Sequence, residues 1–263
     1  MEVKTSVRFQ TIFDLIKFIA LIGLVIWLLY HGTRQLGYHW QWYRVPGFIF
    51  TIADGNFIPG PLLKGLWVTI QITMASLFLF LIFGIVTALM RQSAFLSVRV
   101  IARIYLELIR NTPLLIQLFL IYFALSPILG LSAFTSAVLA LSLFEGAYAS
   151  EIFRSGIYSI HKDQWEGAYS LGLSTFNTYR YIIFPQMIRQ ILPPLTGQTI
   201  SLIKDSSLVS TIAIYDLTMR GQTIVSETFL AFEIWFTVAA IYLIINITLS
   251  FLVRIMENKM RQE

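Results

Sequence analysis

Apolar residues gather in six stretches of the chain, 12–30, 65–90, 104–125, 132–153, 195–215 and 232–252, with polar, glycine-rich or proline-rich segments between them. A helix needs about 20 predominantly apolar residues to cross a bilayer, so each stretch predicts one membrane span. The second is longer than that and predicts a tilted or frayed span. The first, IFDLIKFIALIGLVIWLLY, is interrupted by Asp14 and Lys17. It runs on into Trp27 and Tyr30 with no small-x-small site behind it, which favours a retained span over a cleaved signal peptide. Trp27, Tyr30, Tyr38, Trp40, Trp42 and Tyr43 predict an interfacial aromatic belt. Pro46, Gly55, Pro59, Gly60 and Pro61 make residues 31–64 a loop, with a short surface helix weakly signalled around 48–53. Residues 126–131 predict a short turn and 216–231 an external loop. Pro193 and Pro194 predict a helix break before the fifth span.

Composition agrees with this pattern. The 263 residues are 57% hydrophobic and 13% charged, with a mean hydropathy of +0.73. A soluble domain carries roughly 25% charge, so this chain cannot coat a globular surface with polar groups. The fold class expected is an all-α polytopic membrane protein. The net charge of +5 does not indicate nucleic acid, because no basic patch alternates with aromatics. The basic residues flank the spans instead. Six spans place twelve of the nineteen on the side of both termini and of loop 154–190. Only Arg34, Arg44, Lys64 and Arg220 lie on the other side, and Lys17, Arg110 and Lys204 fall inside spans. The positive-inside rule then predicts that both termini are cytoplasmic. There is no cysteine, which removes thiol catalysis and cysteine-based metal sites.

The longest semi-polar passage between apolar stretches is EGAYSLGLSTFNTYRYIIFP, Glu166 to Pro185. Asp163 predicts a helix cap with Glu166 three residues on, Gly172 predicts a turn, and Ser174 predicts a second cap. Two short helices joined by glycine make a compact knob. No acid and base are paired in it, so it suits docking better than catalysis.

From about Gly65 onward the chain resembles the permease subunits of ABC importers for polar amino acids. The resemblance is carried by GLWVTIQIT at 65–73, ELIRNTPLLIQLFLIYF at 107–123, GAYASEIFRSGI at 146–157 and SLIKDSSLVS at 201–210, in that order. Glu166, Gly167, Ala168, Gly172, Ile182 and Pro185 match the cytoplasmic loop of that family, with Gly167 and Phe184 departing from its Ala and Leu. Ser155 departs from its Gly-Gly-Ile. The resemblance implies a five-span core over 65–263, to which residues 1–64 add an N-terminal extension with one span. It implies a coupling loop at about 154–190 that meets the ATPase through Glu166, Gly167, Ala168, Gly172 and Pro185. It further implies a bacterial inner-membrane location and a homo- or heterodimer of permeases. Two ATP-binding subunits and a solute-binding protein complete the assembly, and the substrate is a polar amino acid, with glutamine or glutamate the first guess. ATP and Mg²⁺ would sit on the partner subunits. No GxxxxGK[ST] phosphate loop occurs here, so no cofactor and no enzymatic activity are expected in this chain.

Charges inside spans are costly unless paired or facing water, and they mark candidate substrate-path residues: Glu145, Glu151, Arg110, Lys204 and Asp205. Glu151 is the first candidate for a substrate ammonium, with pairing to Arg154 or Lys204 as the structural alternative. Glu145, six residues away, does not share its helix face. Arg110 pairs most simply with Glu107 on one helix face. Lys204 and Asp205 are adjacent and face different ways. Ser142, Gly146, Ala149 and Ser150 would let another helix approach closely. His31, His39 and His161 form no ligand spacing. A secondary, ion-coupled transporter of small polar solutes is the alternative function, which the lack of an internal repeat disfavours. An intramembrane enzyme would need a nucleophile with a base, and a pure scaffold would not need charges inside spans.

Overall fold

The structure is a computed structural model. It describes residues 2–35 and 37–262, with side chains outside 2–12, 29, 33–35 and 256–262. Lys4, Arg8, Arg34, Lys259 and Arg261 of the charge count lie outside the described side chains.

Two compact units are present, Met1–Trp42 and Tyr43–Glu263. The first is built on one helix, α1 (Glu2–Gln35), of which Phe13–Gly32 is long and apolar enough to cross a membrane. Asp14 and Lys17, which interrupt that stretch in sequence, pair with each other at 3.5 Å. Trp27 stacks on His31, and Trp40 stacks on Trp42.

The second unit opens with α2 (Val45–Ile49) and a hairpin of β1 (Phe50–Ala53) and β2 (Asn56–Pro59). The surface helix expected around 48–53 ends at Ile49. Asp54 and Gly55 take positive φ of 52° and 75°, the conformation a two-residue hairpin turn requires. The Asp-Gly pair signals that turn in sequence.

α3 (Pro61–Arg91) is the second apolar stretch, and α4 (Leu96–Arg110) follows it. The third span does not begin at 104. The chain bends by 108° between α4 and the helical run Leu114–Leu129. That run comprises α5 (Leu114–Phe119), a wide π-type turn over Leu120–Leu125 and α6 (Ser126–Leu129). The cause is local. Pro113 has no N–H to donate and disfavours helical geometry at Thr112. Gln117 then fastens the bend, donating from Nε2 to the carbonyl oxygens of Ile109 at 2.7 Å and Thr112 at 3.0 Å. α4 is apolar on one side only, the pattern of a helix lying along a surface rather than crossing.

α7 (Ala133–Tyr158) starts at Ser132, whose Oγ accepts from the Thr135 N–H. It packs along α3 through small residues. Ser142, Gly146, Ala149 and Ser150 are all buried. A Cβ added at Gly146 would lie 2.8 Å from the Phe83 Cβ, and one added at Gly84 would lie 2.8 Å from the Ala149 Cβ. Close backbone approach replaces the hydrophobic effect as the source of helix pairing in lipid. Gly146→Leu is expected to lower stability by about 1–3 kcal/mol through overpacking. Thermal unfolding in detergent reads this, and an unchanged transition would show that the two helices can separate freely.

α8 (Lys162–Ser170), α9 (Thr175–Thr178) and a π-type turn at Tyr179–Ile183 lead into α10 (Phe184–Asp205). The expected break at Pro193-Pro194 does not occur, since both prolines lie inside α10. Two backbone donors are lost, which frees the Arg189 and Gln190 carbonyls, but the helix is held by packing on α7 and α12. The fifth apolar stretch therefore differs from expectation: α10 begins eleven residues before 195, and a 3-10 segment (Ser206–Ile212) follows Asp205. α11 (Leu217–Thr228) occupies the expected external loop, capped by Asp216, whose Oδ1 accepts from the Met219 N–H. α12 (Ala231–Gln262) closes the chain.

Among the described residues four helices are long and apolar enough to cross a membrane. They become five when α4 and the bent run after it count as one span. The main core joins Ile72 and Phe80 of α3, Leu118 of α5, Leu141 of α7 and Leu202 of α10. A second cluster packs Leu62 against Leu217, Leu230 and Ile234.

Candidate functional site

Three polar constellations interrupt the apolar bundle. The first is the knob. α8 ends in a Schellman turn: Gly172, at φ +73°, donates its N–H to the Tyr169 carbonyl, and Leu173 donates to the Ala168 carbonyl at 3.1 Å. Ser174 caps α9, accepting from the Asn177 N–H at 3.3 Å. The expected cap at Asp163 is displaced by two residues. His161 is the cap, with Nδ1 accepting from the Asp163 N–H, and Asp163 sits in the first turn where a carboxylate meets the positive helix end. Glu166 consequently forms no capping box and pairs with Lys162 on the exposed face at 3.2 Å. Gly167 is exposed, but Ala168 is buried, so it supports the knob from inside rather than lining its outer surface. Trp165 meets Tyr179 edge-on, and Gln186 Nε2 donates to Gln164 Oε1 at 3.1 Å, tying α8 to the start of α10. Pro185 lies in the first turn of α10, directly after the π-type turn at Tyr179–Ile183. The outer end carries Leu171, 82% exposed, and Phe176, 69% exposed. Sequence reading passed over both, because apolar residues in an apolar chain carry no signal.

The second constellation surrounds Glu151. Its Oε1 accepts from Arg91 at 2.7 Å and Arg110 at 3.1 Å, and its Oε2 pairs with Arg154 at 2.9 Å. One carboxylate thus joins the ends of α3, α4 and α7. The expected Arg110–Glu107 pair is absent from these contacts. Glu107 instead accepts from Asn111 Nδ2, because the bend after α4 turns Arg110 towards α7. Arg91 was missed because only the fold brings it sixty residues back to Glu151.

The third lies between α7 and α10. Glu145 is fully buried, and its Oε2 accepts a hydrogen bond from Gln198 Nε2. Its Oε1 has no hydrogen-bond partner among the described residues. Half-buried Asp205 and exposed Lys204, at the end of α10, are close enough for their charges to act on Glu145. The structure therefore separates the five candidates into two places, with Glu145, Lys204 and Asp205 in one and Glu151 and Arg110 in the other. Gln198 went unnoticed because a glutamine inside a span is not a charge.

Among the described residues no group of acidic, histidine or cysteine side chains is placed to hold a metal. The polar groups are carboxylates, amides and cations inside or at the ends of long helices.

Residues 80–262 match the family described as the binding-protein-dependent transport system inner membrane component. The chain is 39% identical over 203 residues to the Escherichia coli K12 glutamine transport system permease protein GlnP, covering 76% of this chain and 93% of that protein. It is also 39% identical to the Bacillus subtilis L-cystine transport system permease protein TcyB, covering 76% of this chain and 87% of that one. An amino acid ABC transporter crystallised with histidines has a chain that superposes with a TM-score of 0.71 at 37% identity, over 76% of this chain and 94% of that chain. The MetNI methionine ABC transporter shares the fold at 17% identity and a TM-score of 0.63. The chain belongs to the binding-protein-dependent transport system inner membrane component family. It is a bacterial multi-pass membrane protein, the transmembrane permease component of an ABC-type importer that couples to ATPase subunits, and not itself an enzyme.

Proposed function

We propose that this chain forms the translocation path for a polar amino acid and that Glu145 receives the substrate's ammonium group. The observation that carries this reading is the buried Glu145 carboxylate, with one oxygen unpartnered among the described residues, near Asp205 and Lys204. A carboxylate inside an apolar bundle is costly, and a passing ammonium offsets that cost only while it is bound. Lys204 offers the opposite charge for the substrate carboxylate. The relatives named for glutamine and L-cystine and the transporter solved with histidines support an amino-acid substrate, with glutamine or glutamate as first choice.

The full importer in this reading has two ATP-binding subunits, a second permease subunit of the same or a related kind, and a solute-binding protein that sets most of the selectivity. The core spans 65–263, residues 1–64 add one transmembrane helix, and the chain crosses six times with both termini cytoplasmic. The knob within 154–190 then faces the ATPase, with Leu171 and Phe176 as its apolar contact, and Glu166, Gly167, Ala168, Gly172 and Pro185 shaping it. ATP-driven closure moves the knob as a rigid body and α10 carries the motion to the Gln198–Glu145 contact. Glu151 and Arg110 hold the path's mouth together.

The test is an uptake panel in the reconstituted importer with its cognate binding protein, using labelled glutamine, glutamate, histidine and cystine. Glu145→Gln is expected to cut uptake at least tenfold while the ATPase subunits still co-purify. Wild-type uptake by that variant would remove Glu145 from the path. Orientation is checked separately. A reporter fused after Arg261 should read the cytoplasm and one inserted at Gly55 the outside, and a cytoplasmic signal at Gly55 would end the six-span topology.

A further inference from the structure

The arginines at the ends of α3 and α4 outnumber the acids they meet. A cavity of about 370 Å³ opens between α4 and the ends of α3 and α7, lined by Arg91, Arg99, Arg103, Arg110, Glu107 and Glu151. Residues 99, 103 and 110 fall four and seven apart, which places them on one face of α4. Four guanidiniums against two carboxylates leave an excess of two positive charges in the cavity. Arg91 and Arg110 are spoken for by Glu151. Arg99 is steered by the Ser93 and Ala94 carbonyls, at 2.9 and 3.1 Å from its Nη1, which leaves its Nη2 and Nε unused by either contact. Arg103 is exposed, with no hydrogen-bond or ion-pair partner among the described residues. Beside these charges α4 exposes Leu96, Val100, Ile101, Ile104 and Leu108.

We infer that this cavity binds the phosphate of an anionic phospholipid headgroup, with Arg99 and Arg103 as its ligands. A guanidinium fork matches phosphate oxygens, and a phosphate would complete the two arginines that the protein leaves without a carboxylate. The exposed apolar residues on the same helix select a lipid over a soluble anion. They make α4 an interfacial amphipathic helix, whose apolar side seats among acyl chains while its basic side meets the headgroups. The bend at Pro113 presents α4 to the interface by turning it 108° from the run that follows. Neither the Glu145 constellation nor the knob contributes to this site.

The test uses the full-length permease in its assembled importer, reconstituted in nanodiscs of equal phosphatidylcholine and phosphatidylglycerol. Retained lipid is counted by native mass spectrometry. Wild type is expected to retain phosphatidylglycerol in excess. Each basic residue near a membrane surface is worth roughly a fivefold preference, so R103Q should lower the excess about fivefold and R99Q/R103Q on the order of twentyfold. Arg103 is exposed and has no hydrogen-bond or ion-pair partner among the described residues, so R103Q keeps the test independent of any folding defect in the double variant. Equal retention by wild type and R103Q would overturn the site. Displacement of the lipid by millimolar inorganic phosphate would overturn the choice of lipid and assign the cavity to a soluble phosphate.

Discussion

Gly172→Val is expected to abolish ATP-driven uptake while the permease still inserts in the membrane. Gly172 sits at φ +73°, where a β-branched residue is a steric outlier. A Cβ there would meet nothing within 4 Å, so the penalty is entirely in the backbone. It amounts to roughly 1–2 kcal/mol for an L-residue and more for valine. A cost of that size does not unfold a long helical bundle, yet it is enough to reopen one local turn. Leu173 would then lose its bond to Ala168, α9 would swing away from α8, and the Trp165–Tyr179 contact would part. The exposed Leu171 and Phe176 would no longer present one surface. Gly172→Asn provides the control, because asparagine tolerates the left-handed region and should keep most transport. Uptake and stimulated ATPase activity in the reconstituted importer read the result. Normal values for the valine variant would mean that the knob does not transmit motion.

Glu151→Gln has the second large expected effect, and it falls on stability before it falls on substrate handling. Three guanidiniums converge on this one carboxylate. Removing its charge keeps the volume but leaves them facing one another. Loss of charge-assisted hydrogen bonds costs about 1.5–3 kcal/mol each when buried. Glu151 is 27% exposed and its partners are more than a quarter exposed, so solvent screening reduces that figure, and a total of about 2 kcal/mol is expected. The transition in detergent should move down in temperature, and the gap from wild type should narrow as salt is raised. Uptake should fall with the amount of folded importer, with KM unchanged. A raised KM at wild-type stability would instead return Glu151 to the substrate path, where the sequence first placed it. Arg91→Ala combined with Glu151→Gln should cost less than the two single changes added together, as partners in contact do.

Much of the architecture was legible because the bilayer imposes a one-dimensional rule. Span lengths near 20 apolar residues located α3, α7 and α12 within a few residues of their apolar windows. Gly172 and Ser174 located the turn and the second cap, since a left-handed glycine and a hydroxyl cap act over three or four residues. The Asp54-Gly55 hairpin was equally local and could have been read. The failures have a common cause. Pro113 marked a bend but not its 108° size, which Gln117 fixes by reaching back to Ile109. Pro193 and Pro194 marked a break that packing on α7 and α12 overrides. Glu107 and Arg110 had the spacing of a pair, but spacing along one helix says nothing about a stronger partner on another.

The sequence by itself determined that this is a polytopic helical membrane protein, where most of its helices run, and which loop carries the glycine-turned knob. Each of these follows from interactions between residues close in the chain or between a segment and lipid. Only the tertiary structure decided that Glu151 joins Arg91 and Arg110, that buried Glu145 meets Gln198 of α10, and that α4 presents a row of arginines beside an apolar face. Those outcomes depend on contacts between residues about forty to sixty positions apart and on the direction in which a bent helix points. Charge and hydropathy read along one strand of sequence contain no such angle.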